Sequence, residues 1–187
     1  MKKVQIIIAD YNSGSQTFCS KLNEINNSRN IDLREVIRHE IREKSELGKE
    51  IKNSIDKGEL LDTELINRLI KSETYKDQSD VTILNYPRTE EQYNSLLKII
   101  DIDRIWHLKL DNLDYLANKQ YSKLDKNYAL KYDITIETLK TKIINKQNDY
   151  QTIVDIMKKD FNCTLINIDY ENELSMIDYF IEKIKSA

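Results

Sequence analysis

The chain has 187 residues, a third of them charged, and a net charge of −3. That length suits one α/β domain with an inserted flap, and the charge balance gives no basic bias toward nucleic acid. No apolar run approaches the ~20 residues of a membrane span, and the short run after Met1-Lys2-Lys3, ended by Asp10, does not have the form of a signal peptide.

Val4-Gln5-Ile6-Ile7-Ile8-Ala9 is a continuous β-branched run, the pattern of a central parallel strand buried on both faces. Asp10 to Thr17 is a small-residue loop, and apolar positions at Phe18, Cys19, Leu22 and Ile25 predict a helix after it. Strand, loop and helix in that order are what a phosphate-binding loop requires. Asn26 to Asn30 reads as a polar break, and Ile31 to Leu33 reach the end of a second strand. Leu65, Leu69 and Ile70 mark the apolar face of a further helix, Lys71 to Gln78 a charged connection, and Asp80 to Leu84 a buried strand.

Asn85-Tyr86-Pro87-Arg88-Thr89-Glu90-Glu91-Gln92 holds the chain's one proline. It lies between that strand and a helical pattern at Leu96, Leu97 and Ile100, so Arg88 sits at a strand-to-helix turn, the edge where open α/β sheets bind ligands. Thr89 and Gln92 also fit a helix capping box. Arg104 to Leu110 is a strand that contains Trp106 and His107. No Ser, Cys or carboxylate stands at a catalytic spacing from His107 or His39. A long helix is predicted over Thr135 to Lys159, with a stripe at Leu139, Ile143, Tyr150, Ile153 and Met157. Cys163 to Ile168 is the last strand, and Leu174, Ile177, Phe180, Ile181 and Ile184 face the core from the last helix. Cys19 and Cys163 match no metal spacing and are expected to be buried, reduced thiols, which favours a cytoplasmic setting.

The stretch from Asn85 to Gln92 resembles the Asp-Gly-Phe-Pro-Arg-Thr-x-x-Gln segment of adenylate kinases and related nucleoside monophosphate kinases. Ser45-Glu46-Leu47-Gly48-Lys49 resembles the family's Ser-Glu-Leu-Gly-Lys, and Asp56 to Asp62 its Asp-x-Gly-x-Leu-Val-x-Asp turn. The resemblance implies a three-layer P-loop kinase fold: a five-stranded parallel sheet flanked by helices, a helical flap over residues 33–75 and a short lid over 121–134, all in one domain over 1–187. It also implies site residues. Arg38 and Arg88 would contact the monophosphate, Gln92 would read the base, and the backbone at Leu61 would touch it. Leu61 reads equally as core, and Arg38 as a solvated helix residue.

The departures from the family pattern carry physical content. In Gly-x-Pro-Gly-x-Gly-Lys-Gly-Thr, the family's loop, Ala9, Tyr11 and Asn12 replace Gly, Pro and Gly. Ser13 fills a variable place, Gly14 is kept, Ser15 replaces Lys, Gln16 replaces Gly, and Thr17 is kept. The family's Asp that organises Mg²⁺ is Leu84 here. Family arginines near and after the lid are replaced by Gln120 and Leu124, while Lys131 and Lys142 keep charge at two such places. The expectation is a nucleotide-binding or structural subunit of an assembly, impaired in or without catalysis. A nucleoside monophosphate and protein partners are the expected ligands, with no resident metal, no nucleic acid and no membrane. An active kinase using ATP and Mg²⁺, with Lys131 and Lys142 as candidate catalytic residues, is the alternative. A protein that binds no nucleotide is the second alternative.

Overall fold

The computed structural model describes residues 2–10, 13–59, 61–168 and 176–187. In chain order the elements are β1 (Val4–Ala9), α1 (Ser15–Asn26), β2 (Ser28–Ile31), α2 (Leu33–Glu43), α3 (Glu46–Asp56), α4 (Thr63–Thr74), β3 (Asp80–Leu84) and α5 (Glu90–Leu96). They continue with β4 (Arg104–Leu110), α6 (Leu113–Ser122), α7 (Lys126–Lys131), α8 (Ile136–Met157), β5 (Cys163–Ile168) and α9 (Met176–Ser186). The strands form one sheet in the order β2-β3-β1-β4-β5, with every pairing parallel. Crossover helices cover both faces. This is the P-loop kinase type of α/β fold.

All six residues of β1 are buried, which is why its sequence is apolar apart from Gln5 rather than an alternation; the Gln5 side chain accepts the Trp106 indole N–H at 2.7 Å. The pleat divides them between two cores. Ile7 and Ala9 join Trp106, Leu108, Ile166 and Ile168 under α1, α6 and α9, where Phe18, Leu116 and Phe180 are fully buried. Ile6 and Ile8 join Val81, Ile83 and Ile105 on the other face, under Ile70, Tyr93, Leu96, Ile153 and Met157. Each such side chain contributes about 1.5–3 kcal/mol by leaving water. A third, smaller cluster of Ile51, Leu65 and Leu69 joins α2, α3 and α4 to one another, away from the sheet.

Caps set the helix ends. Ser45 accepts the Gly48 N–H at 2.9 Å to start α3. That helix stops in a Schellman motif: Gly58 at φ 71° donates to the Ile55 carbonyl at 2.9 Å, and Glu59 donates to the Ser54 carbonyl at 2.9 Å.

The structure departs from the sequence reading at several places. The polar break at 26–30 is mostly strand: α1 runs to Asn26, Asn27 alone makes the turn at φ 50°, and Ser28 begins β2. β2 is an edge strand in which Ser28 bonds Asn23 at 2.8 Å and Arg29 bonds Asp77 at 3.0 Å, so it shows no apolar run. The charged connection is shorter than expected because α4 continues to Thr74. Ile25 and Ile177 are 40% and 43% exposed, outside the faces their helices bury. Leu174, counted with the last helix, lies outside the described residues. Cys19 is buried and Cys163 half-buried, both as free thiols, and burial pushes the Cys19 thiol up to about 12. No described helix is long and apolar enough to cross a membrane.

Candidate functional site at the carboxyl ends of the strands

The loops after β1 and β3 meet at a cleft of ≈ 610 Å³. The order of the sheet makes this the meeting place, because β1 and β3 are hydrogen-bonded neighbours and both end here.

Asp10, the first residue after β1, anchors its loop. Its side chain accepts the Leu110 N–H at 2.9 Å and the Gln147 amide at 2.7 Å through Oδ2. Its carbonyl accepts the Ser13 N–H at 3.1 Å and the Ser13 hydroxyl at 2.7 Å. Its Oδ1 is buried without a partner. Burial raises the Asp10 pKa above the ordinary carboxylate value. Gly14 follows at φ 75°, and a Cβ there would collide with Met176 and Phe180 of α9. Gly14 is therefore demanded by helix packing as well as by the turn. Gly14, Ser15 and Gln16 border the cleft. Ser13 is turned inward on Asp10, Thr17 does not border the cleft, and Asn12 lies outside the described residues.

The turn after β3 is stitched to β1. Asn85 donates its N–H to the Ile7 carbonyl at 2.7 Å, and its Oδ1 accepts the Ala9 N–H at 2.9 Å. It sits at φ 57°, a conformation that Asn tolerates better than other side chains. The Tyr86–Pro87 peptide is cis. Tyr86 is buried and donates its hydroxyl to Asn67 at 2.8 Å, and Asn67 donates to Ser95 at 2.7 Å, tying α4, the turn and α5 together. Arg88 leaves this turn into the cleft with one hydrogen bond from its guanidinium, Nε to the Asn85 carbonyl at 3.1 Å. Thr89 caps α5 by accepting the Gln92 N–H at 3.2 Å. The reciprocal bond of the expected capping box is displaced by one residue: Gln92 Oε1 accepts from Arg88 rather than from Thr89. Leu84, 7% exposed, presents only hydrocarbon to the cleft.

Other candidate residues are dispersed. Arg38 does not border the cleft; its side chain is 70% exposed and paired with Glu35. Arg34 borders the cleft in its place, paired with its helix cap Asp32 at 3.4 Å. Leu61 packs on the small helical cluster. Lys131 lies over the Tyr132 ring at 5.2 Å and borders neither this cleft nor the next cavity. Lys142 borders that next cavity, of ≈ 440 Å³, with Lys123, Leu124 and Gln120. Two residues of α8 that the sequence reading did not assign to the site, Lys146 and Tyr150, border both spaces. The signal for them was helical spacing, since Lys142, Lys146 and Tyr150 succeed one another at i, i+4.

The cleft offers cationic and neutral donors at Arg88, Arg34, Lys146 and Ser15, which suits an anionic ligand. It does not fit the family's Mg²⁺. Leu84 has no oxygen to hold water on a hard divalent ion, and no group of three His, Cys, Asp or Glu side chains is gathered to hold a metal among the described residues.

No protein-family model matches the chain. Curated relatives do. An adenylate kinase of Prochlorococcus marinus strain MIT 9301 is 26% identical over 184 residues, covering 96% of this chain and 90% of that protein. Adenylate kinases of Thermococcus onnurineus and Nautilia profundicola are 36% identical over 91 residues and 33% over 99 residues. These shorter matches cover 41% and 52% of the relatives' own length. Taken with the parallel sheet and the turn at Arg88, they make the chain similar to adenylate kinases over nearly its whole length.

Proposed function

We propose that the chain is an adenylate-kinase-like protein that holds a nucleoside monophosphate in the cleft at Arg88 and transfers phosphate poorly or not at all. One observation carries this reading: Ser15 and Leu84 border the same cleft. The family's Lys and metal-organising Asp would stand at these two places, and both handle Mg-bound triphosphate. Ser15 supplies at most a neutral hydrogen bond, and Leu84 supplies nothing. The dipole of α1 remains, worth ~0.3–1 kcal/mol to an anion, but the Asp10 carboxylate opposes it. Phosphoryl transfer depends on positioning and charge neutralisation, so these losses fall on chemistry more than on binding of the acceptor.

In this reading residues 33–75 act as the flap over the monophosphate and 121–134 as a short lid. Arg38 reaches the ligand by exchanging Glu35 for phosphate, the backbone at Leu61 meets the base, and Lys131 and Lys142 supply charge from the lid side. The protein would act in the cytoplasm as a nucleotide-binding or structural subunit of an assembly. The active kinase, using ATP and Mg²⁺, remains the competing reading, and a protein that binds no nucleotide the third.

Calorimetry and thermal shift with AMP, CMP, UMP and ATP test the binding half. A monophosphate at 100 times its Kd is expected to stabilise the fold by about 2.7 kcal/mol. Arg88→Ala is expected to weaken it about tenfold or more, as loss of a charge-assisted contact does. No shift with any nucleotide at millimolar concentration contradicts the proposal and favours the reading without nucleotide.

A further inference from the structure

Lys146 stands where three hollows meet. It borders the ≈ 610 Å³ cleft, the ≈ 440 Å³ cavity beside α6, and an outer cavity of ≈ 620 Å³ below the start of α5. Arg88 shares two of these spaces with it, the cleft and the outer cavity, and Tyr150 shares all three. Arg88 from the β3–α5 turn and Lys146 from α8 therefore line both the cleft and the outer cavity together.

The backbone beneath Lys146 is well anchored. The adjacent Gln147 donates to Asp10 at 2.7 Å and to the Leu110 carbonyl at 2.8 Å, and Ile143 and Ile153 are buried one turn before and two turns after. A site residue on such a helix is held more closely than one on a loop.

The two head groups also share an electrostatic condition. Lys140 and Lys158, on or just past the same helix, are paired with Asp114 and Glu137 and with Asp155. Arg34 is paired with Asp32, and Arg38 with Glu35. Lys146 and Arg88 make no ion pair with any described residue, although Glu90 and Asp149 also border the outer cavity. A phosphate monoester carries close to two negative charges at pH 7. Arg88 neutralises one of them, and Asp10 adds a negative charge on the same wall, so a second cation is required.

We propose that Lys146 is that second cation: the phosphate of a nucleoside monophosphate is held between the Arg88 guanidinium and the Lys146 ammonium. Lys146 thus brings a second positive charge to the monophosphate from α8, while the triphosphate-handling charge lost at Ser15 stays lost. This rests on the monophosphate-binding reading given above.

The test is calorimetric binding of AMP and adenosine to the full chain and to Lys146→Ala, Lys146→Arg and Arg88→Ala, after thermal melts establish that each variant is folded. Lys146→Ala is expected to weaken AMP about tenfold and leave adenosine unchanged. Lys146→Arg should stay within about threefold of the parent, because it restores the charge. AMP binding that is lost in Arg88→Ala but unchanged in Lys146→Ala overturns the role of Lys146 and leaves the monophosphate reading standing. Absence of AMP binding in the parent chain overturns both.

Discussion

Gln92 Oε1 accepts the backbone N–H of Arg88 at 2.9 Å. The side chain that the resemblance assigns to the base is thereby a brace for the residue assigned to the phosphate. Its acceptor is occupied, so any contact with a base falls to the amide N–H groups. Gln92→Ala removes both functions and is expected to cost about 1 kcal/mol of stability along with AMP affinity. Gln92→Glu keeps the acceptor and loses the donors. It should melt within about 0.5 kcal/mol of the parent yet bind AMP several-fold more weakly, measured by urea denaturation and calorimetry on the same samples. Equal AMP binding in the Glu variant removes Gln92 from the base site.

Asp10 is a buried carboxylate with one oxygen unpartnered. Its pKa in the fold is raised from 3.8 by burial, so the folded state binds the proton more tightly than the unfolded chain does. Stability contributed by the protonated form is present below the unfolded value and lost as pH rises through the raised one. Asp10→Asn removes that loss and keeps an oxygen for Leu110. The variant is expected to be about 1 kcal/mol more stable at pH 7 and to bind AMP more tightly, since a negative charge has left the cleft. A destabilised Asn variant would contradict the assignment of an uncompensated charge.

Gly14 carries two demands at once, a φ of 75° and the close approach of Met176 and Phe180. Gly14→Ala should cost about 2–4 kcal/mol, roughly 1 for the backbone and 1–3 for overpacking. Chemical denaturation reads this directly. A loss within about 0.5 kcal/mol would mean that α9 yields at this contact.

His107 is 3% exposed within β4, and burial pushes its pKa down from 6.5 to about 4. The fold therefore holds it neutral, while the unfolded chain takes up a proton below about pH 6.5. Its contribution is complete above the unfolded value and declines as pH falls from about 6.5 to 4, by an amount on the order of 2–3 kcal/mol. His107→Leu should flatten that limb of the stability profile in urea titrations between pH 7 and 4. An unchanged slope would place the acid sensitivity elsewhere.

The central strands were legible because burial on both faces leaves runs that are mostly apolar and rich in β-branched residues. Their bounds at Val4–Ala9, Asp80–Leu84 and Arg104–Leu110 were read from the chain alone, as was the edge strand Cys163–Ile168, which keeps apolar residues such as Ile166 and Ile168 in the core. β2 was not, because an edge strand satisfies polar side chains such as Ser28 and Arg29 from its neighbours. The site divides in the same way. Arg88 was legible since its turn is a contiguous motif. Arg38 also matched a motif, but its head group lies with Glu35 away from the cleft. Lys146 and Arg34 reach the cleft through the packing of α8 against the sheet and of α2 against α3 and α4; the i, i+4 spacing groups Lys146 with Lys142 and Tyr150 on one face of α8 but does not encode that this face meets the cleft.

The central claim is that this scaffold retains a monophosphate grip while the means of handling Mg-bound triphosphate are gone from Ser15 and Leu84. The most direct test is the rate of phosphoryl transfer from ATP to AMP with Mg²⁺, followed by a coupled assay at saturating nucleotide. The account predicts turnover below about 0.01 s⁻¹, at least a hundredfold under the ~1–100 s⁻¹ of ordinary kinases; turnover within that ordinary range would contradict it.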